Sequence, residues 1–199
     1  NTALWVRPHM DVLSTEEFEL EKEDYEERIL DGKLFIHPTD TIYGIGCNAL
    51  NETAVNRIRL VKKRHSMPFS ILVPSKKWIY DNCILNGEAV PWVEKLPGPY
   101  TLVLRLKNRN AVPEAVNPGV DTIGLRIPDH WFSKVIAELG IPIITTSANI
   151  VGEQFMTSLD DLNSSIRAAC DFAIYEGEKR GRPSQVVKLY EEEVELLQR

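Results

Sequence analysis

Eight short apolar runs constrain the fold of this chain more than any other feature of its sequence. They are "KLFIHP" (33–38), "FSILV" (69–73), "YTLVLRLK" (100–107), "TIGLRIP" (122–128), "IPIITTS" (141–147), "FAIYEG" (172–177), "SQVVKLY" (184–190) and "VELLQ" (194–198). Their length and their content of Val, Ile, Leu and aromatic residues mark each as a strand candidate. Helical patterns fall between them at irregular intervals. Strands that outnumber helices and alternate with them irregularly predict a mixed α/β class with a twisted, largely central sheet. There is no internal repeat and no low-complexity linker. A length of 199 residues is therefore read as a single domain, 1–199.

The helical signals are local. Residues 13–33, "LSTEEFELEKEDYEERILDGK", read as one helix, capped by Ser14 or Thr15, acidic in its first turns and stopped at Gly32. Residues 52–64 bring Ala54, Ile58 and Val61 to one face. Residues 130–140 and 158–170 also read as helices. Between the first strand and the second helix, "PTDTIYGIGCNA" (38–49) reads as a loop rich in hydroxyls and glycine.

Composition removes several classes. No apolar run approaches the ~18 residues that span a bilayer, and the first residues lack the pattern of a secretory signal. Cys47, Cys83 and Cys170 are odd in number and far apart, which predicts reduced thiols and a cytoplasmic protein. No Cys/His spacing suits zinc. The net charge of −6 argues against a dedicated nucleic-acid binder. That charge is unevenly spread. Residues 53–80 contain no Asp or Glu but seven cations: Arg57, Arg59, Lys62, Lys63, Arg64, Lys76 and Lys77. A local positive patch of this kind attracts a small anion.

Within that stretch, a continuous helix would put Lys62 and Arg64 about 200° apart around its axis. Pro68 disfavours a helical residue before it, so the helix is expected to stop between Arg64 and Met67, where the two side chains could turn the same way. Two readings stand side by side: cations complementing a helix C-terminus, or a site for polyphosphate or carboxylate. Three further clusters sit at strand ends. "TTSAN" (145–149) supplies neutral hydroxyl and amide groups suited to a base, ribose or phosphate, or to a turn. Arg126 lies inside an apolar strand, where it either pairs with a structural carboxylate or clamps a ligand carboxylate. Thr39, Asp40, Thr41 and Tyr43 follow the first strand, and Ser184 begins a later one. The chain has no Walker-type Gly-rich loop, no G-x-G-x-x-G after a strand and no G-x-S-x-G. His37 and His65 have no evident Ser or Cys partner. The pattern is that of a site that positions anions and polar groups, with no covalent nucleophile.

Taken in order, these stretches resemble the YrdC family, whose best-known members are threonylcarbamoyl-AMP synthases. The matching motifs are "PTDTIYGIGCNA" (38–49), Lys62-Lys63-Arg64 for the family's K-x-R, "PGPYTLVL" (97–104), "GLRIPDH" (124–130), "TTSAN" (145–149) and "GRPSQVV" (181–187). The resemblance implies a YrdC-like twisted mixed sheet flanked by helices, around a concave, positively charged cavity. It implies a nucleotidyltransferase that joins L-threonine, bicarbonate and ATP, with Mg²⁺, into threonylcarbamoyl-AMP and pyrophosphate. The product would pass to a tRNA threonylcarbamoyl transferase complex. Carried over motif by motif, Thr41, Arg126, Ser147 and Ser184 are expected to contact threonine. Lys62, Arg64, Thr122, Asn149, Thr157 and Arg199 are expected to face the nucleotide. Metal ligands are not implied. Three departures stand out: His65 follows the arginine where the family often has Pro, Met67 precedes Pro68, and the stretch to Pro68 is shorter by one residue. Residues 1–13 are assigned to an N-terminal extension, and the C-terminal domain of longer relatives is expected to be missing. Two alternatives remain: a non-catalytic YrdC-like module that binds RNA directly, and a relative that handles carbamoyl-adenylate.

Overall fold

A computed structural model describes residues 9–191 and 194–198. Among them, eleven strands form one mixed sheet. In chain order these are β1 (Asp11–Leu13), β2 (Phe35–His37), β3 (Gly44–Asn48), β4 (Ser70–Leu72), β5 (Cys83–Ile84), β6 (Tyr100–Leu106), β7 (Thr122–Arg126), β8 (Ile143–Ser147), β9 (Phe172–Ile174), β10 (Gln185–Lys188) and β11 (Glu195–Leu197). The order across the sheet is β1-β9-β2-β3-β8-β4-β7-β6-β10-β11, with β5 paired to β6 off this path. The helices are α1 (Thr15–Leu20), α2 (Lys22–Leu30), α3 (Glu52–Lys62), α4 (Lys76–Asn82), α5 (Ala89–Glu94), α6 (Phe132–Leu139) and α7 (Ser164–Ala169). The expected twisted mixed sheet flanked by helices is the fold found.

Side chains alternate across a sheet, so register decides which residues share a face. Gly44 pairs with Ser147, Gly46 with Thr145, Thr145 with Ser70, and Ser70 with Gly124. These residues and Arg126, two beyond Gly124, therefore point the same way. The interleaved residues Ile45, Ile144, Ile71, Ile123 and Leu125 point to the other face. There they join the larger core with Ala54, Val55 and Ile58 of α3, Ile79 of α4 and Val93 of α5. The first face is divided. At one end Phe35, Leu72, Ile143 and Phe172 pack under Phe18, Tyr25 and Ile29 of α1 and α2 and under Phe132 and Ile136 of α6. At the other end glycines and hydroxyls line a cleft.

Several expected boundaries move. Residues 38–49 are not all loop: Gly44–Asn48 is a strand. Glycine weakens a strand prediction, but here it marks close approach. A Cβ on Gly46 would lie 2.9 Å from the Phe35 ring, and one on Gly44 would lie 2.8 Å from His37 Nε2. The single helix expected over 13–33 breaks at Glu21, whose backbone is non-helical, into α1 and α2. Ser14 caps α1 in a reciprocal box with Glu17. The helix expected over 158–170 is a 3-10 turn at Leu159–Asp161 and then α7, with Asn163 as its cap. Residues 11–13, assigned to an extension, form β1 in parallel with β9. Arg28 fastens that edge, donating to Asp11 and Asp171 at 3.1 Å each.

His37 is fully buried between the two halves of the divided face, its ring stacked on Phe132 at 5.2 Å. Burial lowers its pKa to about 4. A histidine held neutral stabilises the fold fully above its unfolded pKa of ~6.5, and that contribution is lost as pH falls toward 4. The shift corresponds to about 3 kcal/mol over that window. Urea unfolding at pH 7 and pH 4.5 is expected to show a steep acid loss in the wild type and a smaller one in His37→Phe. Equal losses in both would show that His37 does not set the acid sensitivity.

Candidate functional site

The half of the divided face that carries glycines and hydroxyls is a cleft of about 200 Å³. Its floor is Gly44 of β3, Ser70 of β4, Thr101 of β6 and Thr145 of β8, with Arg126 at the end of β7. The volume lies below the roughly 300–1,000 Å³ of sites for drug-sized ligands, so it suits a ligand of amino-acid size.

Arg126 is the cationic side chain lining this cleft, and it is nearly fully buried. Its Nη2 donates to Asp40 Oδ1 at 2.6 Å and its Nη1 to Thr41 Oγ1 at 3.3 Å. The other Asp40 oxygen accepts the backbone N–H of Asp129 at 2.9 Å. Burial lowers the guanidinium pKa, and the neighbouring Asp40 opposes that shift. Arg126 Nε is a buried donor with no hydrogen-bond partner among the described residues. Leaving such a donor unmet costs about 1–3 kcal/mol. Both readings of Arg126 thus have a place: it has a structural carboxylate, and it keeps a donor to spare.

A strap roofs the cleft. Residues 175–184 connect β9 to β10, which stand seven strand positions apart in the sheet. At ~4.8 Å per position the flat distance is about 34 Å. Eleven residue steps from Ile174 to Gln185 reach at most about 38 Å. On a flat sheet the segment would cross the polar face almost extended. Tyr43 Oη donates to Gly177 O at 2.6 Å and accepts from Glu176 N at 3.0 Å. The Glu176 carboxylate receives Trp131 Nε1 at 3.0 Å and His130 Nε2 at 2.9 Å. His130 Nδ1 accepts the Phe132 N–H, so the His130 proton sits on Nε2. Further along, Gly181 presses on the Thr41 carbonyl, and Pro183 and Ser184 line the cleft. Ser184 Oγ lies 2.5 Å from Thr101 Oγ1.

The four residues expected to contact threonine, Thr41, Arg126, Ser147 and Ser184, all line this one cleft. Those assigned to the nucleotide are dispersed around it. Lys62 is buried and donates to the Ser147 carbonyl and to Asn149 Oδ1 (3.2 Å), with Ser147 Oγ at 3.5 Å. Burial, and then the charge of Arg64, lower its pKa to about 7. Ser147 Oγ donates to Asn149 Oδ1 at 2.5 Å. Lys62 and Asn149 thus stand directly behind a cleft residue. Arg64 turns elsewhere, over the Phe69 ring at 4.9 Å, donating to the Met67 (3.3 Å) and Pro68 carbonyls. The helix ends earlier than expected: Lys62 is its last residue and Lys63 is left-handed at φ +56°, which swings Lys62 and Arg64 apart. Thr122 begins β7, about 13 Å along the strand from Arg126. Thr157 donates its hydroxyl to Asp161 at 2.6 Å, closing the 3-10 turn. Arg199 lies outside the described residues.

Of the seven cations of residues 53–80, Arg59 and Lys62 are buried, while Lys76 pairs with Glu94 and Lys77 with Asp81. Thr101 and Gly181 gained no role from the sequence, and Tyr43 only a place in the polar cluster after the first strand. Gly181 stands first in "GRPSQVV", the one signal that could have flagged it.

Fold and site define an α/β protein whose mixed sheet leaves a hydroxyl-lined, arginine-bearing cleft for a small polar ligand. The chain belongs to the Sua5/YciO/YrdC family, whose domain model, described as "Telomere recombination", matches residues 27–199. A Methanocaldococcus jannaschii protein, provisionally named a threonylcarbamoyl-AMP synthase, is 38% identical over 186 residues, covering 92% of this chain and 86% of its own. A Pyrococcus abyssi threonylcarbamoyl-AMP synthase is 36% identical over 171 residues, covering 82% of this chain and 49% of its own. The chain thus spans about half the length of the Pyrococcus protein. The crystal structure of P. abyssi Sua5 complexed with L-threonine superimposes with a TM-score of 0.82 at 33% identity, over 94% of this chain and 56% of that one.

Because Thr41 O blocks a Cβ at Gly181, Gly181→Ala is expected to displace the strap and cost about 1–3 kcal/mol in urea unfolding. Gly87, with open space around it, serves as the control, and Gly87→Ala is expected to change stability by less than about 1 kcal/mol. Equal behaviour of the two variants would show that the strap is loosely held.

Proposed function

We propose that this chain is a threonylcarbamoyl-AMP synthase, an enzyme that makes threonylcarbamoyl-AMP and pyrophosphate from L-threonine, bicarbonate and ATP. The observation that carries the reading is the convergence of Thr41, Arg126, Ser147 and Ser184 on one cleft of amino-acid size. A carboxylate is the natural acceptor for a guanidinium edge. The hydroxyls of Thr41, Ser147 and Ser184 surround it with groups that both donate and accept. Pyrococcus abyssi supports the substrate by a protein's name, threonylcarbamoyl-AMP synthase, and by a Sua5 structure complexed with L-threonine.

The chemistry follows from the substrates. The threonine amine takes up bicarbonate with loss of water, giving a carbamate. A carbamate oxygen then attacks the α-phosphorus of ATP, and the bond to pyrophosphate breaks. No group on the protein needs to form a covalent intermediate. The protein's task is to hold an amino acid and a triphosphate in contact and to balance the charge that develops. The cleft holds the amino acid. Lys62 and Asn149 behind Ser147, with Arg64 beyond Phe69, mark the side from which the nucleotide meets it. Mg²⁺ is expected to enter on the triphosphate. Among the described residues no cluster of three His, Cys, Asp or Glu side chains could hold it. The product's destination, a transferase complex that modifies tRNA, belongs to the same proposal.

The test is pyrophosphate release measured with each substrate omitted in turn. Release that requires threonine, bicarbonate and ATP together is the expected outcome. Arg126→Lys is expected to raise the KM for threonine about tenfold or more while changing that for ATP little. No release from folded protein with Mg²⁺ would overturn the proposal, and activity with carbamoyl phosphate in place of threonine and bicarbonate would select the carbamoyl-adenylate relative.

A further inference from the structure

The structure assigns to Arg59 a role outside the motifs: we infer that its guanidinium positions the 63–68 loop, and with it Arg64, for the nucleotide. The inference rests on the proposed adenylation reaction.

Arg59 belongs to the buried side of α3, although arginine is rarely found there. Its guanidinium meets carbonyls only. Nε donates to Ala115 O at 2.9 Å, and Nη2 donates to the same oxygen at 2.6 Å and to Val116 O at 3.2 Å. Nη1 donates to Met67 O at 2.9 Å and approaches Arg64 O at 3.4 Å. The plane lies over the Phe69 ring at 4.3 Å. Among the described residues Arg59 has no carboxylate partner. Burial lowers its pKa, with no acid to offset the shift.

These bonds tie together three segments that the backbone leaves loosely joined. The first is the end of α3, closed by the left-handed Lys63 and by Arg64 N–H on Arg59 O at 3.0 Å. The second is the loop of residues 64–67. The third is the 3-10 turn at Glu114–Val116, whose Val116 O also accepts the Phe69 N–H at 2.9 Å. Phe69 leads directly into Ser70 on the cleft floor. Arg64 and Arg59 both donate to Met67 O and both lie on the Phe69 ring. Moving Arg59 would therefore move the seat of Arg64. Lysine cannot replace Arg59, because an ammonium lacks the planar, multi-donor geometry that reaches carbonyls on opposite sides.

The experiment is calorimetric titration of ATP and, separately, of L-threonine into the wild type, Arg59→Lys and Arg59→Met, with melting temperatures recorded for each. Arg59→Lys keeps the charge and is the variant expected to fold without difficulty. The expected result is ATP affinity lower by about tenfold in Arg59→Lys, with threonine affinity unchanged. Unchanged ATP affinity in Arg59→Lys overturns the assignment. So does a parallel loss of both ligands, which would mean that Arg59 supports the fold and not the nucleotide side. A wild type that binds neither ligand overturns the proposed function and this inference together, whereas a wild type that binds both leaves the function standing whatever Arg59 does.

Discussion

A strand alternates the faces on which its successive side chains stand, and much of the site in this protein depends on that constraint. Thr145 lines the cleft with Ile144 buried on the opposite face, although at the strand's end Thr146 and Ser147 both line it. The same alternation holds for Gly124 and Arg126 around Leu125. The cleft exists because four adjoining strands carry small residues in register, Gly44, Thr145, Ser70 and Gly124, where any larger set would fill it. A Cβ on Gly124 would lie 2.5 Å from Ser70 Oγ. The face is thus packed to its limit between the strands.

The cations follow a second rule. Arg59, Lys62 and Arg126 are each buried, and desolvation lowers the pKa of all three. They are satisfied in different ways. Arg126 has a carboxylate, Lys62 a carbonyl and an amide, and Arg59 carbonyls alone. Carbonyl oxygens solvate a cation without neutralising it. Positive charge at Arg59 is therefore held in place with no contacting acid among the described residues, whereas Lys62, its pKa lowered to about 7, is only partly charged at neutral pH. The opposed ends of α3 fit this arrangement: Asn51 caps the N-terminus and the cations gather at the negative end of the dipole.

Much of this was legible in the sequence. The apolar runs gave the strands, because each is long enough to show its β-branched and aromatic content. An arginine inside "TIGLRIP" was conspicuous for the same reason: its neighbours demanded burial, so the guanidinium needed a reason to be there. The ordered motifs brought Thr41, Arg126, Ser147 and Ser184 to one list, and they line one cleft. What escaped detection depends on contacts between distant segments. β3 was hidden because Gly44 and Gly46 look like loop residues until His37 and Phe35 are seen to need the space. Lys62 and Arg64 were expected to act together because a helix end can fray. A left-handed Lys63 has no local signal in a chain that offers no glycine there, so their separation was invisible. The burial of Arg59 on α3 depends on the 3-10 turn more than fifty residues away.

The two halves of the site are therefore built to different tolerances. The cleft is made from paired strands, with Pro183 and Ser184 of the strap at its edge. The region around Arg59 and Arg64 is made from a helix end and a short loop, joined by side-chain hydrogen bonds to backbone carbonyls. Strand pairing yields little without breaking the sheet, whereas a loop held by one guanidinium can shift when that side chain does. Under the proposed function, that division would place rigidity where similar small molecules must be told apart and compliance where a triphosphate would enter and pyrophosphate leave.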